Sequence, residues 1–289
     1  MPRFPKRPAI SLTLSAALVF LVACADVPSP QGETETEAAP AHEGGNAEHG
    51  GGPVHWGYEE SNGPAVWAEL SPAYGLCRDG REQSPVDISR AQARQHPELL
   101  LAYRPARLEI IRHEHVVDVV DNGHTIQVNY DEGSTLTVGE TSYDLKQYHF
   151  HAPSEHTVDG AHFPMEMHLV HQSADGALAV LGVLIAEGAK NSAFEPIWSN
   201  LPDEPGETWH LDHLSVNVDD LLPAGHGTYR YSGSLTTPPC SEGVSWFVVV
   251  EPIELSAEQI GAFTSIFSGN NRPVQPLHDR MVAVDRVEG

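Results

Sequence analysis

Beyond residue 56 the chain is cut into short stretches of β-branched and aromatic residues, separated by Asp121-Asn122-Gly123, Asp131-Glu132-Gly133 and Asp175-Gly176. That punctuation constrains the fold most, because such tripeptides make tight hairpin turns and leave no run long enough for a helical bundle. Strands are expected over 116–120, 125–130, 134–138, 143–151, 165–171, 177–186 and 244–253. Helical patterning is confined to 191–200 and 256–267. In the second, Ser256 can cap the start, Gln259 holds the capping-box position, and Ile260, Phe263 and Phe267 share a face. No linker divides 55–289. The expected class is therefore mainly β, α+β: one domain over 54–289, built on a large twisted, mostly antiparallel central β-sheet with a few short peripheral helices.

The two ends of the chain differ in kind. Arg3, Lys6 and Arg7 precede an apolar run over 9–22 that is short for a membrane span, which reads as a secretory signal. Its end, Leu21-Val22-Ala23-Cys24, resembles the bacterial lipobox, in which the cysteine is lipidated and becomes the first mature residue. Cleavage after small residues without lipidation, or an uncleaved anchor, are the alternatives. Residues 25–53 are Glu, Thr, Pro, Ala and Gly with almost no large apolar side chain, a composition that cannot offset ordering entropy, so they are expected to form a disordered acidic tether. The expected location is the periplasm or cell surface, with the membrane reached only through lipid on Cys24.

Sixteen Lys plus Arg against 40 Asp plus Glu give a formal charge of −24, which excludes the basic footprint that nucleic-acid phosphates require. Of three cysteines, Cys24 is assigned to lipid. That leaves Cys77 and Cys240 to pair in an oxidising compartment, with two free thiols as the alternative.

Seventeen histidines are the surplus to explain. On a strand His149 and His151 share a face, while Tyr148 and Phe150 point the other way. The stretch from Met165 to His171 likewise puts Glu166, His168 and Val170 on one face. Three neutral imidazoles would leave zinc a fourth, open position, the arrangement of a catalytic site. Spacing alone leaves Glu166 open as a fourth ligand or a general base. Two other classes fit parts of the pattern. His149-x-His151-x-x-x-Glu155 mimics part of a cupin metal motif, although the cupin glycines are missing. His42, His49 and His55, in and beside the tether, would suit a zinc-capturing lipoprotein.

Separated motifs then occur together and in order: Trp56-Gly57-Tyr58 with Trp67, Gln83-Ser84-Pro85-Val86-Asp87-Ile88, Asn122-Gly123-His124, Gln147 to His151, Pro153-Ser154-Glu155-His156, Glu166 to His171, Ser234 to Cys240, and Asn270-Asn271-Arg272-Pro273. In these residues the chain resembles the α-class carbonic anhydrases, the exported bacterial type in particular, over nearly all of 55–289. The resemblance implies reversible hydration of carbon dioxide to bicarbonate and a proton, by attack of hydroxide bound to Zn2+ on His149, His151 and His168. It implies that Thr236 and Glu155 orient that hydroxide and that His124 shuttles the proton, with Asn122, Gln127 and Tyr58 ordering water. Gln147, Glu166 and a backbone carbonyl near Asn270 would orient the three ligands. Val170, Val180, Leu235, Val244 and Trp246 would line the substrate pocket, and Thr237 would face bicarbonate. Inhibition by sulfonamides and small anions, and a monomer or homodimer, are also expected. His156 and His171 look structural, and Tyr148 departs from the usual Phe or Leu, which the core tolerates if its hydroxyl finds a partner.

Overall fold

Side chains alternate along the chain from 147 to 150, so Tyr148 and Phe150 fall on one side and are fully buried, while Gln147 and His149 face a cavity; a β-bulge skips Lys146 and lets Leu145 join the buried side. The same rule extends across the sheet. We describe a computed structural model over residues 54–89, 91–112, 124–202 and 208–285. The signal, Cys24, the tether, the expected strand at 116–120 and the Asn122-Gly123 turn lie outside the described residues.

The first strands are β1 (Asp87–Ile88), β2 (Gln92–Arg94), β3 (Leu99–Ala102), β4 (Ala106–Arg112), β5 (Ile126–Asn129) and β6 (Thr135–Val138). There follow β7 (Thr141–His151), β8 (Thr157–Val158), β9 (Ala161–His162), β10 (Met165–Ser173) and β11 (Leu178–Glu187). The last are β12 (Thr208–Val216), β13 (Thr228–Ser234), β14 (Glu242–Val249), β15 (Ile253–Leu255) and β16 (Ala283–Asp285). Among the described residues the main sheet has 13 strands, ordered β12-β4-β5-β7-β10-β11-β14-β13-β16-β2, with β3, β6 and β15 paired alongside. Most neighbours are antiparallel, as expected; β11 runs parallel to β14 and β15, and β16 parallel to β2. All described residues fall in one compact unit.

Helices are short: α1 (Trp67–Leu70), α2 (Leu76–Asp79), α3 (Glu195–Trp198) and α4 (Ala257–Thr264). The capping box forms as expected at α4, where the Ser256 hydroxyl accepts from the Gln259 amide and the Gln259 side chain accepts from the Ser256 amide. The helix expected over 191–200 divides into a 3-10 turn, Ser192–Phe194, and the single turn α3. Pro196 at its start removes one amide donor. The stretch 244–253 likewise divides, into β14 and β15, at exposed Val250 and Glu251.

Register decides which side chains meet. Along one line across the sheet lie Gln127, His149, His168 and Gly182. The next line carries Gln147, Val170, Val180, Trp246 and Tyr231. Below them the largest apolar cluster, with Tyr148, Phe150, Met167, Leu169, Phe194 and Phe263, fills the opposite face. Burying side chains of this size contributes roughly 1.5–3 kcal/mol each before entropy is charged against it, which fixes the register and with it the polar row above. Cys77 and Cys240 are joined, with Cα atoms 5.1 Å apart, and pack with Trp56 and Trp67 in a third cluster. The expected pair is thus in place.

Candidate active site

His149 and His168 are direct cross-strand partners on β7 and β10, and His151 lies opposite Glu166 one pleat along. One ring nitrogen from each of His149, His151 and His168 lies within 4.8 Å of the others. Hydrogen bonding then fixes which nitrogen that is. His151 Nδ1 faces the Asn270 carbonyl oxygen at 2.7 Å, and a carbonyl can only accept, so Nδ1 carries the proton and Nε2 is basic. His149 Nδ1 donates to Gln147 Oε1 at 2.8 Å, again making Nε2 the basic nitrogen. His168 is reversed: its Nε2 lies 2.9 Å from Glu166 Oε1, so Nδ1 is basic.

Charge supports these tautomers. Burial opposes ionisation of Glu166, but the His156 and His168 rings and their hydrogen bonds hold its carboxyl well below the usual carboxylate range. Burial also pushes His151 down to about 4, against the pull of the Asn270 carbonyl, and lowers His168 despite Glu166 beside it. Neutral imidazoles therefore converge.

That convergence leaves polar atoms without partners. His151 Nε2 and Glu155 Oε2 are buried and unpaired among the described residues, and they lie 3.6 Å apart, with His168 Nδ1 3.8 Å from the same oxygen. Basic nitrogens gathered beside a carboxylate oxygen repel one another unless a cation or protons lie between them. The residues present therefore fit a metal ion. A second group of the same kind, His156, Glu166 and His168, does not, because its contacts are ordinary hydrogen bonds: His156 Nδ1 to Glu166 at 2.7 Å and Nε2 to the Tyr231 hydroxyl at 2.6 Å.

Glu155 is fully buried. Burial pushes it up to about 7, opposed by His168, by the Arg272 amide bonded to Oε1 at 2.8 Å, and by the Thr236 hydroxyl. Thr236 and Thr237 follow β13, and the Leu235 amide bonds back to Ser241, closing the loop that presents them. They open onto a cavity of about 120 Å³ shared with the three histidines, His124, Gln127, Gln147 and Tyr58. Val170, Val180, Leu235 and Trp246 form its apolar wall. Val244 is the exception among the expected pocket residues: it packs behind the wall in the cluster with Val180 and Trp246 and is not part of the lining. It is 2% exposed in that cluster.

His124 lies against Trp56, ring centroids 4.1 Å apart, with the Tyr58 ring at 5.3 Å and the exposed His55 ring at 6.4 Å. His171 bonds the Tyr103 hydroxyl at 2.9 Å, away from the cavity. Four contributors were not foreseen: the Thr125 hydroxyl on the Phe150 backbone, the Tyr231 and Ser84 hydroxyls behind His156, and the Arg272 amide on Glu155. Arg272 was legible only as part of a motif.

A family model described as eukaryotic-type carbonic anhydrase matches residues 62–286. The chain belongs to this family. A carbonic anhydrase of Pectobacterium atrosepticum is 44% identical over 230 residues, 79% of this chain and 90% of that protein. One from Neisseria gonorrhoeae is 40% identical and covers 98% of this chain and 99% of its own length. Among solved structures, the α-carbonic anhydrase of Thermovibrio ammonificans in complex with the inhibitor sulfanilamide is 43% identical, with a TM-score of 0.73 over 80% of this chain and all of that one. Membership in the carbonic anhydrase family displaces the cupin alternative.

Proposed function

We propose that His149, His151 and His168 hold zinc and that the protein catalyses reversible hydration of carbon dioxide to bicarbonate and a proton. The observation that carries this reading is the convergence of three basic imidazole nitrogens, each fixed by a hydrogen bond on its other side. Zinc, once bound, supplies a Lewis acid that brings the ionisation of water into the neutral range, as is established for carbonic anhydrases.

The chain does the rest. Gln147, Glu166 and the Asn270 carbonyl keep each ligand in one tautomer. Thr236 donates a hydrogen bond to Glu155 and so turns a lone pair toward the reacting oxygen, accepting a hydrogen bond from it and leaving that oxygen's remaining electrons aimed at carbon. Carbon dioxide, uncharged and a poor hydrogen-bond partner, lies against Val170, Val180, Leu235 and Trp246. Thr237 faces the bicarbonate that forms, and the proton left by water departs through His124, with Gln127 and Tyr58 ordering the intervening water.

Stopped-flow hydration by zinc-replete protein, with and without sulfanilamide, tests the reading. Activity abolished by the sulfonamide is expected; a folded, zinc-loaded protein with no activity would overturn it. Export and acylation at Cys24 belong to the same proposal. Cys24→Ser is expected to move the protein from the membrane to the soluble fraction, and an unchanged distribution would remove the anchor.

A further inference from the structure

We infer that the side chain of Asn270 is the positioning residue for proton transfer through His124; the inference rests on the function proposed above. The hydrogen-bond ladder between β5 and β7 ends at Gln127 and His149. His124 and Thr125, which precede β5, therefore lie beyond the last rung, and side chains replace the ladder there. The Thr125 hydroxyl bridges the Phe150 backbone, accepting from its amide and donating to its carbonyl. Asn270, 3% exposed, does more. Its Nδ2 donates to the His124 carbonyl at 2.6 Å and to the Phe150 carbonyl at 3.0 Å, while its Oδ1 accepts from the Ala152 amide at 2.7 Å.

Both amide protons and one carbonyl lone pair are thus committed, so the planar group has a single orientation. Through it the His124 backbone is tied to the two residues flanking His151, and the Asn270 carbonyl holds the His151 ring itself at 2.7 Å. One residue thus fixes His124 and His151 in one frame. The ring of His124 is held separately, by the face of Trp56. Proton transfer is sensitive to such a frame, since misplacing a reacting group by about 1 Å can cost roughly 10²-fold in rate.

Substituting the side chain leaves the backbone carbonyl on His151 in place, which separates the two roles. In zinc-replete Asn270→Ser, and in Asn270→Ala as the second variant, kcat at low buffer is expected to fall about tenfold. Imidazole is expected to restore it, with kcat/KM retained within about twofold. Adding Asn270→Ser to His124→Ala is expected to lower the rate no further, because both act on one step. Position is read independently of activity: the His124 ring protons, shifted by the Trp56 ring current, are expected to lose that shift in the NMR spectrum of either variant. Unchanged His124 resonances together with unchanged low-buffer kcat would overturn the inference. So would parallel loss of kcat, kcat/KM and zinc content, or failure of both variants to fold, since each assigns the side chain to the scaffold around His151. If His124→Ala itself shows no buffer-rescued defect, the shuttle reading fails, and the NMR result alone then decides whether Asn270 positions His124.

Discussion

Tyr148→Phe is expected to make the protein more stable. The ring of Tyr148 is fully buried between Tyr130 and Phe150, with centroids 6.1 and 6.0 Å away, and its hydroxyl has no partner among the described residues. The condition set from the sequence, a partner for that hydroxyl, is not met among the described residues. Burial raises its pKa well above the usual phenol value, so it stays neutral. A buried hydroxyl stripped of water without compensation costs about 1–3 kcal/mol. Deleting one oxygen forfeits packing contacts of roughly 0.1–0.2 kcal/mol each, a few of them at most. The balance favours phenylalanine by about 1 kcal/mol, which for a domain of this size raises Tm by about 2–4 °C. Equilibrium unfolding in urea measures it as a higher midpoint at unchanged slope. Turnover should not change, because Tyr148 points away from the cavity that His149 lines. A loss of about 1 kcal/mol on substitution would refute the reasoning, since it would mean the hydroxyl is satisfied, for instance by a buried water.

On the proposed mechanism Thr236→Ala removes the hydroxyl that links Glu155 to the reacting oxygen and is expected to lower kcat/KM by roughly 10²-fold, with zinc content unchanged by metal analysis. His171, which burial pushes down to about 4, is neutral when folded and takes a proton when unfolded below about 6.5. Its contribution is therefore complete above about 6.5 and is lost as pH falls toward 4, up to about 3 kcal/mol; His171→Gln should flatten stability against pH in that window, and an identical slope would exclude His171 as the cause. Reducing Cys77–Cys240, a closure over 163 residues, should lower stability by at most about 5 kcal/mol. An unfolding midpoint indifferent to reductant would show that the clusters around Trp67 hold this end without it.

What the sequence revealed follows from the reach of its patterns. Period-two alternation put His149 and His151 on one face, and burial of Tyr148 and Phe150 enforces it. The capping box at Ser256 is legible because it spans four residues, Ser256 to Gln259. Strands such as β13, Thr228–Ser234, escaped notice because Arg230 and Ser234 are buried there beside Tyr231, so no clean alternation survives. Arg230 is affordable inside only because Asp285 and the Pro97 carbonyl receive its donors, and neither is near in sequence. Val244 shows the opposite limit. Its position fitted the pocket, and it shares a face of β14 with Trp246, yet it is buried within the cluster of Val180 and Trp246 and does not reach the lining.

The roles hardest to read were those carried by backbone atoms. Periodicity and residue type identify which imidazoles gather, but not what faces their second nitrogens. For His151 that group is the Asn270 carbonyl, 119 positions away, and for Glu155 it is the Arg272 amide, 117 away. A carbonyl or an amide is present at every position, so nothing in the letters marks these two. They act because Gly269, in a left-handed conformation with φ of 75°, turns the chain so that its amide bonds Ala152 and the next residues run along the end of β7. One short irregular segment thereby reaches His124, His151 and Glu155 together. Chemistry in this site is carried by side chains that strands can announce, while their mutual placement is carried by a segment that, in the sequence, only the resemblance to the carbonic anhydrases singles out.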